Sequence, residues 1–136
     1  MKQRVYLAGG FNSDWRESVK NMMNLLDDKY NVTELFIFYD PKLKPNKYWI
    51  EYGTWDIHYI KQSDIVFVYM ENTNPSGYGL AAEMGYAKAL NKTVILVLEL
   101  GHEKDKYLQF LKKFADVVYD DLYTGIKFLK SFAIKY

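Results

Sequence analysis

At 136 residues the chain has the length of one domain, within the usual range of ~50–250 residues. Eighteen basic and seventeen acidic side chains leave a formal charge of +1, without the basic stripe that a phosphate-dominated nucleic-acid interface needs. The absence of cysteine excludes disulfides, thiolate catalysis and zinc–thiolate sites, and no run approaches the ~18–20 apolar residues of a membrane helix.

The first residues, Met1 to Leu7, give way to polar sequence by Asn12, which does not read as a signal peptide. A cytoplasmic domain spanning 1–136 is the expectation. With 49% hydrophobic and 18% aromatic residues the chain can fill a core. Thirteen tyrosines are enough that some are expected to line a pocket or a subunit contact, most being amphipathic core-edge residues.

Arg4 to Ala8 is short and apolar before Gly9-Gly10, as in a buried strand ending in a tight loop. Asn12 or Ser13 can cap a helix from about Asp14 to Asp27, with Val19, Met22, Met23, Leu25 and Leu26 at helical spacing. Val32 to Tyr39 reads as a second strand, stopped by Asp40-Pro41, and Lys42 to Lys47 as a basic loop. From Tyr48 to Gln62 a helix is expected over at least the second half, with Gly53 weakening the first. Asp64 to Tyr69 is a nearly continuous apolar run, the mark of a central strand covered on both faces. A helix over Gly79–Leu90, a strand over Thr93–Leu98 and a helix over Asp105–Phe114 follow. Asp116–Tyr119 reads as a short strand, and Leu122–Ala133 as the closing helix.

Strand and helix thus alternate about five times, and parallel strands need such crossovers. The expected fold is one doubly wound α/β domain, a flavodoxin-like (Rossmann-like) parallel sheet of five strands in the order 2-1-3-4-5. Ligands of such sheets bind beyond the carboxyl ends of the strands, where strand order reverses. Here that crevice lies between the loop Gly9–Arg16 and the loop Glu71–Tyr78. Both are rich in glycine and small polar residues, which let backbone N–H groups approach a ligand. Neither is a specific motif: no dinucleotide fingerprint and no phosphate-loop lysine is present, and Ser76 serves equally as a phosphate ligand or a helix cap.

Glu83 falls about one turn into the helix after the third strand. The macrodipole there favours an ionised carboxylate by ~0.3–1 kcal/mol at exposed sites, and such a group can attack an electrophilic carbon. Ala81, Ala82 and Gly85 leave room around it, with Tyr78 and Tyr86 as walls. Spacing alone does not lift Glu83 above an ordinary solvated helix glutamate. Asp56 is a second acid, on one helical face with Tyr59 and Ile60, aimed either at the crevice or at solvent. Asp64 is expected to cap or terminate structure. His58 and His102 have no metal-ligand spacing and read as surface or core-edge residues.

Three segments occur in an informative order: Val5-Tyr6-Leu7-Ala8-Gly9-Gly10, Trp55-Asp56-Ile57-His58-Tyr59-Ile60-Lys61-Gln62-Ser63-Asp64, and Gly79-Leu80-Ala81-Ala82-Glu83-Met84-Gly85-Tyr86-Ala87. Together, over roughly residues 4 to 98, they resemble the nucleoside 2-deoxyribosyltransferase superfamily, including its hydrolases of nucleoside 5′-monophosphates. The resemblance implies Glu83 as nucleophile, Asp56 as the acid that organises sugar and nucleophile, and Tyr6 as an aromatic that hydrogen-bonds near the nucleophile. It places Gly9 and Gly10 beside the sugar or its phosphate. Phe11 or Trp15 then stacks on the base, and Asn74, Ser76 and Gly79 contact substrate. It implies a covalent deoxyribosyl-enzyme without metal or organic cofactor, a nucleoside or nucleotide as small-molecule partner, and a homo-oligomer in which neighbours complete the site.

The chain departs from the transferase pattern at Asn74-Pro75-Ser76-Gly77, where an Asp serving the base is expected. A Pro-Ser pair is closer to the monophosphate hydrolases, whose arginine-rich first loop is echoed only in part by Asn12-Ser13-Asp14-Trp15-Arg16. Transfer to a base and hydrolysis of a monophosphate therefore both stand. A nucleotide-binding module without turnover and an NAD-cleaving domain are the readings from other classes.

Overall fold

The computed structural model describes residues 2–25, 34–43, 49–75 and 77–133. Its elements run β1 (Gln3–Gly9), α1 (Trp15–Leu25), β2 (Phe36–Tyr39), α2 (Trp49–Gln62), β3 (Ile65–Met70) and α3 (Tyr78–Ala89). Then come β4 (Thr93–Leu98), α4 (Asp105–Leu108), β5 (Val117–Tyr119) and α5 (Leu122–Ser131). All strand pairs are parallel, in the order β2-β1-β3-β4-β5. The expected architecture is the observed one.

The sheet's pleat explains why β3 and β4 read as unbroken apolar runs. Successive side chains point to opposite faces, and helices cover both. Val5, Leu7, Ile65, Phe67, Ile95 and Val97 pack with Val19, Met23, Ile126 and Leu129 of α1 and α5. Tyr6, Ala8, Val66, Val68, Val94 and Leu96 pack with Ile60, Leu80, Met84 and Ala87 of α2 and α3. Tyr6 thus belongs to the α2/α3 side of the sheet by its parity in β1.

Several boundaries differ from the sequence reading. The strand expected over Val32–Tyr39 is confined to Phe36–Tyr39 among the described residues, and the start of that segment and the loop over 44–47 lie outside them. Gly53 does not interrupt α2, which runs unbroken over Trp49–Gln62. The segment Asp105–Phe114 makes one α turn and then tightens into a 3₁₀ helix at Gln109–Phe114. Asp14 immediately precedes α1 and its carbonyl accepts from Ser18 N at 3.1 Å, so Asp14, and neither Asn12 nor Ser13, occupies the capping position. Asp64 terminates structure as expected, accepting the Arg4 N–H at 2.9 Å.

Two glycines set opposite expectations for stability. A Cβ on Gly125 in α5 would lie 2.4 Å from Val97 Cγ2 and 3.4 Å from Phe67, whereas one on Gly53 in α2 meets nothing within 4 Å. Gly125→Ala should therefore lower the unfolding free energy by about 1–3 kcal/mol through overpacking. Gly53→Ala should raise it by about 0.5–1 kcal/mol through helix propensity. Urea titrations of both variants check the pair of signs.

Candidate active site

The carboxyl ends of β1 and β3 open into a cavity of about 390 Å³. Its lining includes Gly9, Gly10, Phe11 and Arg16 from the β1 side, Glu71, Asn74 and Gly77 from the β3 side, and Asp56 and Glu83 from α2 and α3. The position is that anticipated from strand order. A second cavity of about 380 Å³ is a groove between two helices. Gly53, Asp56, Ile57 and Ile60 of α2 face Gly79, Ala82, Glu83 and Tyr86 of α3 across it, each set at the i, i+3, i+4, i+7 spacing of one helical face. Asp56, Glu83 and Gly79 line both cavities.

The sequence-predicted trio comes together here. Tyr6 is 1% exposed on the α2/α3 side, and Glu83 and Asp56 both act electrostatically on its phenol. Burial, first, and then those two charges push the Tyr6 phenol far above its ordinary value. The hydroxyl faces the Asp56 side chain. Tyr6 is thus a protonated donor beside two acids. Glu83 is the sixth residue of α3, in its second turn rather than at its end. The macrodipole, which falls off within the first turn, therefore favours its ionised form less than the sequence suggested. Tyr78 is 75% exposed, with the Lys104 ammonium over its ring, and is not a wall of either cavity. Tyr86 is.

The two aromatic candidates for stacking on a base separate. Trp15 is 3% exposed and packs on the other side of the sheet, stacked on Phe67 and edge-on to Tyr69, with Nε1 donating to the Gly10 carbonyl at 3.0 Å. It cannot stack on a substrate, and that expectation is corrected. Its ring is why residue 9 must be glycine: a Cβ there would lie 2.5 Å from Trp15 Cζ2 and 2.8 Å from the Tyr69 carbonyl. Phe11 is 52% exposed and lines the cavity.

Sequence reasoning missed two residues. Arg16, 2% exposed, donates from Nε to Leu7 O at 3.2 Å, from Nη1 to Gly10 O at 2.8 Å and from Nη2 to Gly9 O at 2.8 Å. It pairs with Asp40 at 3.3 Å, and its guanidinium lies 4.7 Å from the Phe11 ring centroid and 4.6 Å from that of Trp15. An arginine one position past a tryptophan carries no such signal in sequence. Glu71, at the end of β3, accepts from Ser13 Oγ at 3.0 and 3.1 Å and so ties the two loops across the crevice.

The β3 loop is held from behind. The buried His102 presents Nε2 to the Asn74 carbonyl, while its Nδ1 accepts from Lys104 N at 2.9 Å. Nε2 therefore carries the proton. Glu99 accepts from Tyr69 Oη and from Asn72 N. Gly77 has φ +75°, and a Cβ there would lie 2.8 Å from Met70 Cε, so only glycine leads into α3. Gly77 brings no side chain to cap that helix, and Gly77, Gly79 and Leu80 line the cavity. Ser76 lies outside the described residues. Among the described residues no cluster of His, Cys, Asp or Glu could hold a metal ion, and no helix is long and apolar enough to cross a membrane.

Folded Tyr6 keeps its proton above the value near 10 at which an unfolded chain releases it. Its contribution to stability is whole below about pH 10 and is lost as pH rises from there toward the raised folded value. Tyr69, raised by its own burial and then by Glu99, acts in the same direction. Unfolding free energy measured in denaturant from about pH 7 to 11 should fall at the alkaline end, and Tyr6→Phe should flatten part of that fall. An unchanged slope in Tyr6→Phe would show that the phenol is not its source.

The solved structure of a 2-desoxiribosyltransferase from Leishmania mexicana matches with a TM-score of 0.67 at 17% identity, over 95% of this chain and 97% of that one. The Clostridium botulinum CMP N-glycosidase BcmB matches with a TM-score of 0.55 at 18% identity, over 95% and 99%. The solution structure of BlsM matches with a TM-score of 0.61 at 18% identity, over 98% and 90%. At such identity these likenesses show the fold. None of the curated proteins matches the chain. The family model described as nucleoside 2-deoxyribosyltransferase matches residues 5–118, and the chain belongs to that family.

Proposed function

We propose that the protein cleaves the N-glycosidic bond of 2′-deoxyribonucleosides and transfers the sugar through a covalent deoxyribosyl–Glu83 intermediate. The observation that carries this reading is the meeting of Tyr6, Asp56 and Glu83 on one side of the sheet, beside a cavity of about 390 Å³.

A Glu83 carboxylate oxygen attacks C1′ of the bound nucleoside as the bond from C1′ to the base nitrogen breaks. The bonding pair leaves with the base, which takes up a proton from an acidic group or water. Charge at C1′ passes through an oxocarbenium-like state, which the adjacent carboxylates stabilise. A second base then attacks C1′ through a ring nitrogen, gives its N–H proton to the group or water that protonated the first base, and displaces Glu83 as a carboxylate, so two displacements retain the anomeric configuration. Asp56 orients the sugar and Glu83, and Tyr6 donates toward the acids from a phenol that remains neutral. Gly9 and Gly10 form the floor beneath the sugar, and Phe11 offers the ring on which a base can lie.

A second reading is hydrolysis of a nucleoside 5′-monophosphate, with water as acceptor. It draws on the N-terminus of α3, whose first residues line the cavity, because helix N-termini favour phosphate. Products separate the two. Incubation with a deoxynucleoside and a different free base should yield the exchanged nucleoside, whereas free base and deoxyribose 5-phosphate from a monophosphate would mark the hydrolase. Glu83→Ala should lower turnover by about 10³-fold or more, and Asp56→Asn by about 10²-fold. Tight nucleotide binding with no turnover of any base would replace both readings with a binding module.

Family resemblance and the open groove between α2 and α3, with Ile57 48% exposed, support a homo-oligomer. Light scattering after size exclusion should give at least twice the monomer mass; a monomer at working concentration would refute it.

A further inference from the structure

The carbonyls of Leu7, Gly9 and Gly10 lie where β1 leaves the sheet, β1 and β3 pairing as far as Gly9 and Tyr69. Carbonyls at such an end need donors from elsewhere, and one planar guanidinium supplies all three. Lysine could not reproduce this: its ammonium is a point charge without a fork. The same group is the one cation lining the cavity among the described residues, against the carboxylates Asp56, Glu71 and Glu83. Like charges gathered around one space disfavour ionisation, and a buried opposite charge with little water to screen it counters that.

We propose that Arg16 is a positioning residue for the reaction at Glu83: its fork fixes the Gly9–Gly10 floor, and its buried charge favours the Glu83 carboxylate. This rests on Glu83 as the nucleophile. Glu83 acts electrostatically on Tyr6 from β1 and on Arg16 from α1, and lines the cavity together with Asp56 from α2 and Glu71 from the end of β3. Behind Arg16 stands Asp40, which also pairs with Lys20 at 3.2 Å. The same electrostatic reach appears at Arg16 itself. Burial lowers the pKa of its guanidinium, and Asp40, Tyr6, Glu83 and Asp56 in that order oppose the loss of its proton.

The test measures the pH profile of kcat/KM for base exchange in the full-length protein and three variants, with the Glu83 side-chain carboxyl titrated by ¹³C NMR. Arg16→Gln removes the charge and should move the acidic limb up by about one pH unit. Arg16→Lys keeps the charge and should hold the limb, while kcat/KM falls about tenfold because the floor loses its fork. Asp40→Asn leaves Arg16 less compensated and should move the limb down by about half a unit.

A folded Arg16→Gln with an unmoved limb overturns the proposal, as does an Arg16→Lys equal to the parent in rate. Where Arg16→Gln does not fold, Asp40→Asn decides: a downward limb supports the proposal and an unmoved one overturns it. A parent without glycosidic turnover sinks the proposed function instead, and the Glu83 carboxyl titration then decides the electrostatic role of Arg16 in the same way.

Discussion

The indole of Trp15 lies against the α-carbon of Gly9, where any side chain would collide with it. On this contact the rest of the site depends. It fixes how β1 ends and brings both Trp15 Nε1 and Arg16 to the Gly10 carbonyl, while Gly9 and Gly10 line the cavity. A strand end is an expensive place for unmet carbonyls, so the helix that follows supplies the donors.

The pleat then separates packing from chemistry. Within β1, Val5 and Leu7 go to the α1/α5 core, while Tyr6 and Ala8 go to the α2/α3 core. One residue of register decides whether the Tyr6 phenol meets Phe67 or the acids of α2 and α3. Asp56 and Glu83 reach it from the facing sides of two helices whose other residues on those faces, Tyr86 apart, are small or apolar. Low polarity there strengthens each charge and makes each carboxylate costly to leave uncompensated. The counter-charge comes from Arg16, and the loop opposite is braced by His102 and Glu99. Stability and reactivity are set by the same few contacts.

Strand order was legible because a parallel sheet covered on both faces writes itself as apolar runs separated by helical periods. Glu83 and Asp56 stood out by position as a candidate carboxylate pair, and Tyr6 joined them only through family resemblance; periodicity put all three on helices and a strand without saying which way they point. Trp15 was misread because a tryptophan in a ligand-side loop looks the same in sequence whether it faces the ligand or the core. Only its parity in α1, shared with Val19 and Met23, separates the two. Arg16 was unreadable for a related reason: its partners are backbone carbonyls, and backbone carries no sequence signature. Glu71 read as the first residue of the crevice loop, and its link to Ser13 spans 58 residues of chain.

The central claim is that Glu83 is the nucleophile. Its most direct test is mass spectrometry of the protein after reaction with a 2-deoxy-2-fluoro nucleoside, whose fluorine slows breakdown of a glycosyl-enzyme more than it prevents its formation. The account predicts one fluorosugar adduct, mapped by peptide fragmentation to Glu83 and absent from Glu83→Ala. An adduct on another residue, or base release from the analogue with no covalent intermediate, would contradict it.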